Sequence, residues 1–405
     1  MWNVFLIGLI SFFADISSEM VYPIIPLYLT SVFGGTPALV GFIEGIAESL
    51  ASLLKVFSGH LSDRYKKKKA LAFFGYAAGA AYKGGLLLAG SWVGILAARV
   101  LDRMGKGIRT APRDVMVSES AGRGRMGLAF GLHKALDMAG GAIGILTSYL
   151  ILSRGSGSIA YKEIFLIALI PALLSLAVFP FLRERKEGPS AEEGKRPAPF
   201  WKNIPKLPGQ LKLYLLVALL FTLGNSSNAF LLLRAKSLGF DDKSVILLYF
   251  IYNVTASLLA IPAGRRSDRA GGKRLLVTGY FLFALVYMGF ALASQPVFLI
   301  LLFLLYGAHT ALIAGVERAY IAEISPTELR GTMLGLHGTI VGLALFPASA
   351  IAGLLWTSLG GWAPFAFGAF QSVAAAVLLL LFMKGGRATL EAEAQMSDRS
   401  GEKTA

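Results

Sequence analysis

The sequence contains no cysteine among its 405 residues. This absence excludes disulfide bonds, thiolate metal sites and cysteine nucleophiles. Charged residues are also scarce, at 16% of the chain, whereas soluble domains carry about 25%. No Gly-x-x-x-x-Gly-Lys-Ser/Thr segment is present, so ATP is not expected to be the energy source.

Hydrophobic residues and glycine are abundant instead. Hydrophobic residues make up 55% of the chain, and its 46 glycines suit closely packed spanning helices. The N-terminal apolar stretch lacks a basic leader and a small-residue cleavage site, so we expect a retained first span. The composition therefore predicts an all-α integral membrane protein.

Twelve segments contain the roughly 20 mostly apolar residues that a membrane-spanning helix needs. The predicted spans are 3–30, 37–58, 70–90, 92–118, 126–152, 160–182, 212–235, 244–263, 275–294, 297–322, 332–357 and 362–383.

Basic residues are concentrated in alternate loops. Loops 59–69, 183–211 and 264–274 are rich in Lys and Arg, whereas those on the other side carry few or none. The positive-inside rule then places both termini in the cytoplasm, with the chain in the cell (inner or plasma) membrane. The net charge of +15 is thus a topology signal, and nucleic acid is not an expected partner.

The two halves of the chain repeat each other. Gly59-x-x-Ser62-Asp63-Arg64 returns 205 positions later, and Gly131-Leu132-His133 returns 204 positions later. Such duplication is typical of secondary transporters. The predicted parts are an N-terminal six-helix bundle, a cytoplasmic linker, a C-terminal six-helix bundle and a disordered cytoplasmic tail, at 1–182, 183–211, 212–384 and 385–405.

The loop Gly59-His60-Leu61-Ser62-Asp63-Arg64, followed by lysines, resembles a signature of the major facilitator superfamily. The resemblance covers essentially the whole chain and implies twelve spans in two pseudo-symmetric bundles that rock in alternating access. It also implies that Asp63 and Arg64 latch the cytoplasmic side. Antiporter members often carry a glycine-proline motif in span five, but the glycine-rich stretch Gly140–Ile145 contains no proline.

Span four carries a charged stripe. At about 100° per residue its charged residues fall within an arc of roughly 140°. Charges facing lipid are costly, so this face must line a bundle interior or a cavity. We assign Arg99, Asp102 and Arg103 to a substrate cavity and Arg109, Arg113 and Asp114 to a cytoplasmic gate. The alternative is a salt-bridged structural seam between helices.

Carboxylates and one histidine in the first half are candidates for proton coupling, because an apolar surrounding favours a protonated carboxyl. These candidates are Asp15, Glu19, Glu48, His133 and Asp137. Glu44 is expected to be a solvated residue near the outer mouth. Static salt bridges or hydrogen bonds remain the alternative roles.

The second half offers mostly neutral polar candidates. Candidate cavity residues there are Asn225, Asn228, Tyr249, Tyr252, Asn253, His309 and His337. Candidate gate residues are Asp268 and Arg269, from the repeated loop motif, with Glu317 and Arg318. The last two align with Arg113 and Asp114 with opposite charge signs.

These observations predict a proton-coupled secondary transporter that exports a small organic compound or drug by antiport. Its expected partners are that substrate, protons and the lipid bilayer, with the chain acting as a monomer. No cofactor or resident metal is expected, since the proton gradient supplies the energy. The alternative is a carrier of a metabolite anion or a divalent metal ion. A membrane enzyme or a sensor is the third hypothesis, with no nucleophile–base constellation to support it.

Overall fold

The computed structural model describes residues 2–65, 68–120, 126–155, 157–183, 207, 209–270, 272–313, 316–325 and 330–383. In several helical segments, notably 55–65 and 263–270, it describes the backbone only. Most of the predicted linker 183–211 and all of the predicted tail 385–405 lie outside these residues. The regular elements that are described are helices, so the prediction of an all-α chain is confirmed.

Among the described residues, the first half contains seven α-helices: α1 (Trp2–Val21), α2 (Ile24–Phe33), α3 (Pro37–Tyr65), α4 (Lys68–Leu88), α5 (Trp92–Ser120), α6 (Met126–Arg154) and α7 (Ser158–Ala177). The described part of the second half contains eight: α8 (Gly209–Gly224), α9 (Ala229–Ser237), α10 (Asp242–Ala270), α11 (Gly272–Leu292), α12 (Pro296–Ile313), α13 (Val316–Ile324), α14 (Arg330–Leu359) and α15 (Ala363–Phe382).

Helices occupy all twelve predicted spans. Within the described residues, ten stretches are long and apolar enough to cross a membrane. The two spans not among them are α5 and α10, of 29 residues each. At about 1.5 Å per residue, both exceed the roughly 30 Å hydrocarbon core of a bilayer. The charged stripe makes α5 too polar to count as an apolar span, although its length suffices.

Helix contacts follow the same plan in both halves. In the first half, α1 packs on α6 and α7, α5 packs on α3 and α4, and α4 packs on α7. The corresponding pairs in the second half are α8 with α14 and α15, α12 with α10 and α11, and α11 with α15. The duplication in the sequence is therefore expressed as two pseudo-symmetric bundles.

The two bundles meet where α3 packs on α14 and α6 packs on α10. Ser49 Oγ donates to the Gly342 carbonyl at 2.6 Å and accepts from the Phe346 backbone N–H at 2.9 Å. Gly41 lies so close to α14 that an added Cβ would be 2.2 Å from the Ser349 carbonyl oxygen. Small side chains thus bring the two backbones together, as is usual between membrane helices.

A second link between the halves lies at the end opposite the basic loops. The Tyr161 hydroxyl on α7 donates to the Asp242 carboxylate at the start of α10. Lys236 at the end of α9 forms an ion pair with the same carboxylate. Asp242 therefore joins the first half to two helices of the second half at this end.

Spans one and seven are each broken at matching positions. α1 ends at Val21 and α2 begins at Ile24, because Pro23 has no N–H to continue the helix. In the second half, α8 ends at Gly224 and α9 begins at Ala229 after Asn225-Ser226-Ser227-Asn228. Ser349 Oγ accepts the Ser227 backbone N–H at 3.3 Å, which satisfies a donor freed by the break. Broken helices at equivalent places in two repeats point to a binding site between them.

The glycine contact between the bundles leads to a first prediction. Gly41→Ala should force α3 away from α14 and lower the melting temperature of the purified protein, because overpacking costs about 1–3 kcal/mol. Gly84→Ala is the matched control, since a Cβ at Gly84 meets nothing within 4 Å. Alanine is also the better helix former, so this control should be neutral or slightly stabilising. Equal melting temperatures for the two variants would contradict the close packing.

Candidate functional site

Two adjoining cavities lie between the bundles, with volumes of about 200 and 340 Å³. Tyr22, Glu48 and Asn228 line both of them, which makes the two spaces neighbours around the breaks in spans one and seven. The smaller cavity is further lined by Asp15, Ser18, Glu19, Tyr82, Arg99, Asp102, Arg103, Lys106, Arg109 and Tyr249. The larger one is lined mainly by neutral polar and aromatic residues of the second half.

The charged stripe of α5 faces this interior. Arg99, Asp102, Arg103 and Arg109 are buried, whereas Leu101 and Met104 on the other side of the helix are exposed at 39% and 38%. The prediction that the charged face turns away from lipid is therefore confirmed. The first interaction along the stripe is a two-pronged ion pair in which Arg99 Nε and Nη2 donate to the Glu44 oxygens at 2.9 and 2.8 Å.

Glu44 was expected to be a solvated residue at the outer mouth, and this prediction is wrong. The Glu44 residue is 1% exposed, and so is Arg99. The reason is the ion pair itself: a guanidinium held by two parallel hydrogen bonds compensates for removing the carboxylate from water. The position of Glu44 in the sequence placed it near the N-terminal end of α3. The sequence gave no indication of its partner on α5.

Asp102 is the centre of a second cluster. Its Oδ2 lies 3.6 Å from Arg99 Nη1 and 3.7 Å from Arg103 Nε, and its Oδ1 lies 3.9 Å from Lys83 Nζ. Arg103 Nη2 also lies 3.1 Å from Glu48 Oε1. Lys83 on α4 is 1% exposed and was not singled out by the sequence analysis. Its position one residue after Tyr82, within an apolar span, was the available signal.

Asp15 on α1 and Asp137 on α6 are neighbours whose carboxyl groups interact, and Lys134 Nζ lies 3.4 Å from Asp137 Oδ2. Gly140 and Gly144 permit this approach, since a Cβ at either would lie 2.3 or 2.4 Å from a carbonyl oxygen of α1. An ionised carboxylate only accepts hydrogen bonds, so two carboxyls bond to each other only when one carries a proton. The glycine stretch without a proline thus serves to join these two acids.

Glu19 contacts the other half of the molecule. The Tyr249 hydroxyl on α10 donates to Glu19 Oε2 at 3.2 Å. A row of tyrosine rings continues from there, with centroid separations of 5.9 Å for Tyr22–Tyr249, 5.6 Å for Tyr249–Tyr252 and 5.1 Å for Tyr252–Tyr306. Tyr22 and Tyr306 were not among the sequence candidates, because aromatic residues within spans are common and carry no distinguishing pattern.

Asn228 lies at the end of this row. Its Oδ1 accepts the Tyr306 hydroxyl at 2.8 Å, and its Nδ2 lies 3.5 Å from the Tyr252 hydroxyl. Asn225 also lines the larger cavity. Asn253, by contrast, donates its side-chain N–H to the Tyr249 carbonyl of its own helix at 2.9 Å and lines neither cavity.

The three candidate histidines occupy different surroundings. His133 Nε2 lies 2.9 Å from Ser11 Oγ, which also bonds to Tyr76. His309 lines the larger cavity and has Nδ1 2.9 Å from the Gly279 carbonyl oxygen. His337 Nε2 lies 3.9 Å from Glu317 Oε2, away from both cavities. Of these three histidines, only His309 lines either of the two cavities described above.

The proposed gate residues are only partly described. The guanidinium of Arg109 stacks on the Tyr76 ring at 4.3 Å and lines the smaller cavity. Arg113 Nη2 lies 2.9 Å from Asp114 Oδ1, its neighbour in sequence. The Tyr280 hydroxyl lies 3.3 Å from Glu317 Oε1. The side chains of Asp63, Arg64, Asp268, Arg269 and Arg318 lie outside what the structure describes, so their gating role stays a prediction.

Two pseudo-symmetric helical bundles around a charged cavity define a membrane transporter. The sequence matches the family description Major Facilitator Superfamily over residues 7–233 and 213–402. The chain belongs to this superfamily, as its resemblance indicated, and it is a multi-pass secondary transporter rather than an enzyme.

Two relatives match most of the chain, and the first of them carries the family in its name. An uncharacterised MFS-type transporter of Methanocaldococcus jannaschii is 39% identical over 384 residues, covering 93% of this chain and 94% of the relative. An uncharacterised protein of Mycobacterium bovis is 26% identical over 354 residues, covering 86% and 85%.

Solved structures with the same fold include a variant of the nucleoside transporter NupG, with a TM-score of 0.80 at 12% identity, covering 94% of this chain and 100% of that one. A D-xylose–proton symporter has a TM-score of 0.72 at 18% identity, covering 95% and 97%. At these identities, the structural likeness shows the fold alone.

The Arg99–Glu44 pair leads to a second prediction. Arg99→Met should destabilise the protein by about 3–5 kcal/mol, because it leaves a buried carboxylate without its partner. Adding Glu44→Leu should restore most of that loss in a double-mutant cycle measured by unfolding in detergent. Lys243→Met is the control, since Lys243 pairs with Asp241 on the surface at 3.6 Å and should contribute about 0–1 kcal/mol. A loss for Arg99→Met no greater than for the control would contradict the assignment.

Proposed function

We propose that this transporter couples proton movement to export of a small organic compound across the cell (inner or plasma) membrane. The observation that supports coupling best is the Asp15–Asp137 carboxyl pair beside the smaller cavity. Two neighbouring carboxylates repel each other unless they share a proton. The pair is thus a position where one proton can be held and released.

The Glu19–Tyr249 hydrogen bond can link protonation of Glu19 to rocking of the two bundles. Glu19 belongs to the first half and Tyr249 to the second, so their bond crosses the cavity between the bundles. A phenol donates a stronger hydrogen bond to a carboxylate than to a neutral carboxylic acid. Protonation of Glu19 therefore weakens a link between the halves and frees them to rock.

Export, rather than import, rests on the resemblance of the acidic residues in span one to those of proton antiporters of the superfamily. No specific observation supports a divalent metal ion as the alternative substrate. Within the described part of the chain, no three His, Asp or Glu side chains come together as metal ligands. A metabolite anion has more support, which the next subsection develops.

A third prediction tests proton coupling. A ligand screen by thermal shift supplies a substrate, and proteoliposomes with an imposed pH gradient then measure its flux. Asp15→Asn and Asp137→Asn should abolish gradient-driven flux but retain exchange of labelled for unlabelled substrate, which moves no net protons. The infrared band of a buried carboxylic acid should also be lost in both variants.

Asp241→Asn is the matched control for these variants. Asp241 lies at the surface, and hydrogen bonds from Ser244 lower the pKa of its carboxyl, so it stays ionised and carries no proton. Its replacement should leave coupling unchanged. Normal gradient-driven flux in both Asp15→Asn and Asp137→Asn would remove the carboxyl pair from the mechanism.

A fourth prediction tests the orientation that we propose, with both termini in the cytoplasm. The chain has no cysteine, so single substitutions can be labelled without background. On intact cells, a membrane-impermeant maleimide should label Ser91→Cys and Ser358→Cys, which are exposed at the end opposite the basic loops. Arg183→Cys should react only after lysis. The reverse labelling would invert the topology.

A further inference from the structure

In the smaller cavity, the acidic groups have partners within the protein, whereas two of the cationic groups do not among the described side chains. Its acidic groups have partners: Glu48 is paired with Arg103, and Asp102 lies among two arginines and a lysine. Asp15 lies beside Asp137, and Glu19 accepts a hydrogen bond from the hydroxyl of Tyr249. The carboxyls on this wall are therefore already engaged.

Two cationic groups on the same wall have no such partner among the described side chains. Lys106 and Arg109 have no carboxylate within 4 Å among the residues whose side chains are described, whereas Arg99 and Arg103 each have two. The two side chains are three residues apart on α5 and so share a face. Lys106 is exposed, and Arg109 is buried with its guanidinium carbon 4.3 Å from the centre of the Tyr76 ring. Both residues line the smaller cavity.

The facing wall is neutral and aromatic. In the larger cavity, the lining residues of the second half are Asn225, Ser226, Ser227, Asn228, Tyr252, Tyr306, His309, Thr310, Ile313 and Leu345. Tyrosine rings offer flat surfaces and hydroxyl groups for a planar ligand. Asn228 adds an amide between two of these hydroxyls. At about 340 Å³, this cavity is at the lower end of the range of about 300–1,000 Å³ for small-molecule sites.

We propose that the substrate is a small organic anion with a planar, hydrogen-bonding body. Its acidic group binds Lys106 and Arg109, and its ring lies against the tyrosine row with polar substituents near Asn228. This inference deepens the proposed function and rests on it for the direction of transport. The binding it describes needs neither a proton gradient nor movement of the bundles.

The experiment compares para-hydroxylated ring compounds that carry a negative, a neutral or a positive group. Equilibrium dialysis and thermal shift of the purified protein in detergent are carried out with 4-hydroxybenzoate, 4-hydroxybenzamide and tyramine, and with inorganic phosphate as an anion without a ring. The benzoate should bind about tenfold more tightly than the neutral amide, as expected for charged hydrogen bonds. Tyramine and phosphate should bind more weakly still.

Substitutions then locate the binding. Lys106→Gln and Arg109→Gln should each weaken benzoate binding by about tenfold and leave amide binding unchanged. Lys106→Arg should restore it, because the charge is kept. Lys162→Gln on α7 is the control, since Lys162 is exposed at the end opposite the basic loops, outside both cavities.

Three results would overturn the proposal: tighter binding of tyramine, equal binding of acid and amide, or no binding of the acid up to about 10 mM. Because the assay contains no gradient, it separates this proposal from proton coupling. Selective benzoate binding with uncoupled flux would reject the coupling alone, whereas coupled flux of a cationic substrate would reject the anion alone.

Discussion

The burial of Arg99 is the interaction on which the interior of this protein depends. A charge at the middle of a bilayer costs about 2.5–3.5 kcal/mol on insertion scales, so a guanidinium there requires a partner and a surface turned away from lipid. Glu44 supplies both oxygens at 2.8 and 2.9 Å, and this fixes α5 against α3. Once that rotation of α5 is set, Asp102, Arg103, Lys106 and Arg109 must also face inward, because they share one arc of the helix.

The consequence is a cavity with two chemically different walls. The first half holds the ionic groups, while the second half contributes tyrosines, asparagines and serines around the break between α8 and α9. The halves are alike in helix packing but not in charge, so the duplication preserved the architecture and let the linings diverge. A substrate lying between them meets ions on one side and neutral hydrogen-bonding groups on the other. That asymmetry favours a ligand with a charged end and a neutral body.

The sequence sufficed for the architecture and for the direction in which α5 faces, because hydropathy, loop charge and helical periodicity are local or near-local properties. It could not pair residues between helices. Glu44 was misplaced at the solvated mouth because its partner Arg99 is 55 residues away. Lys83 did carry a local signal, a charge within an apolar span, but its partner Asp102 could not be identified from the sequence. Asp15 and Asp137 were both chosen as proton candidates, but their contact depends on how closely Gly140 and Gly144 bring α6 to α1. Tyr22 and Tyr306 can be identified as site residues only from the structure, in which their rings belong to the row of tyrosines along the cavities.

Proton chemistry and bundle movement meet at Glu19. The carboxyl pair lies wholly within the first half, because α1 and α6 belong to the same bundle. In the proposed mechanism it therefore stores a proton without resisting rocking of the two bundles. Glu19, four residues along α1 from Asp15, instead bonds across the cavity to Tyr249. A proton on the pair changes the charge beside Glu19, and a proton on Glu19 changes the bond that holds the halves. The proposed mechanism thus gives the two groups different roles: the Asp15–Asp137 pair holds the proton, and the Glu19–Tyr249 bond links protonation to rocking of the bundles.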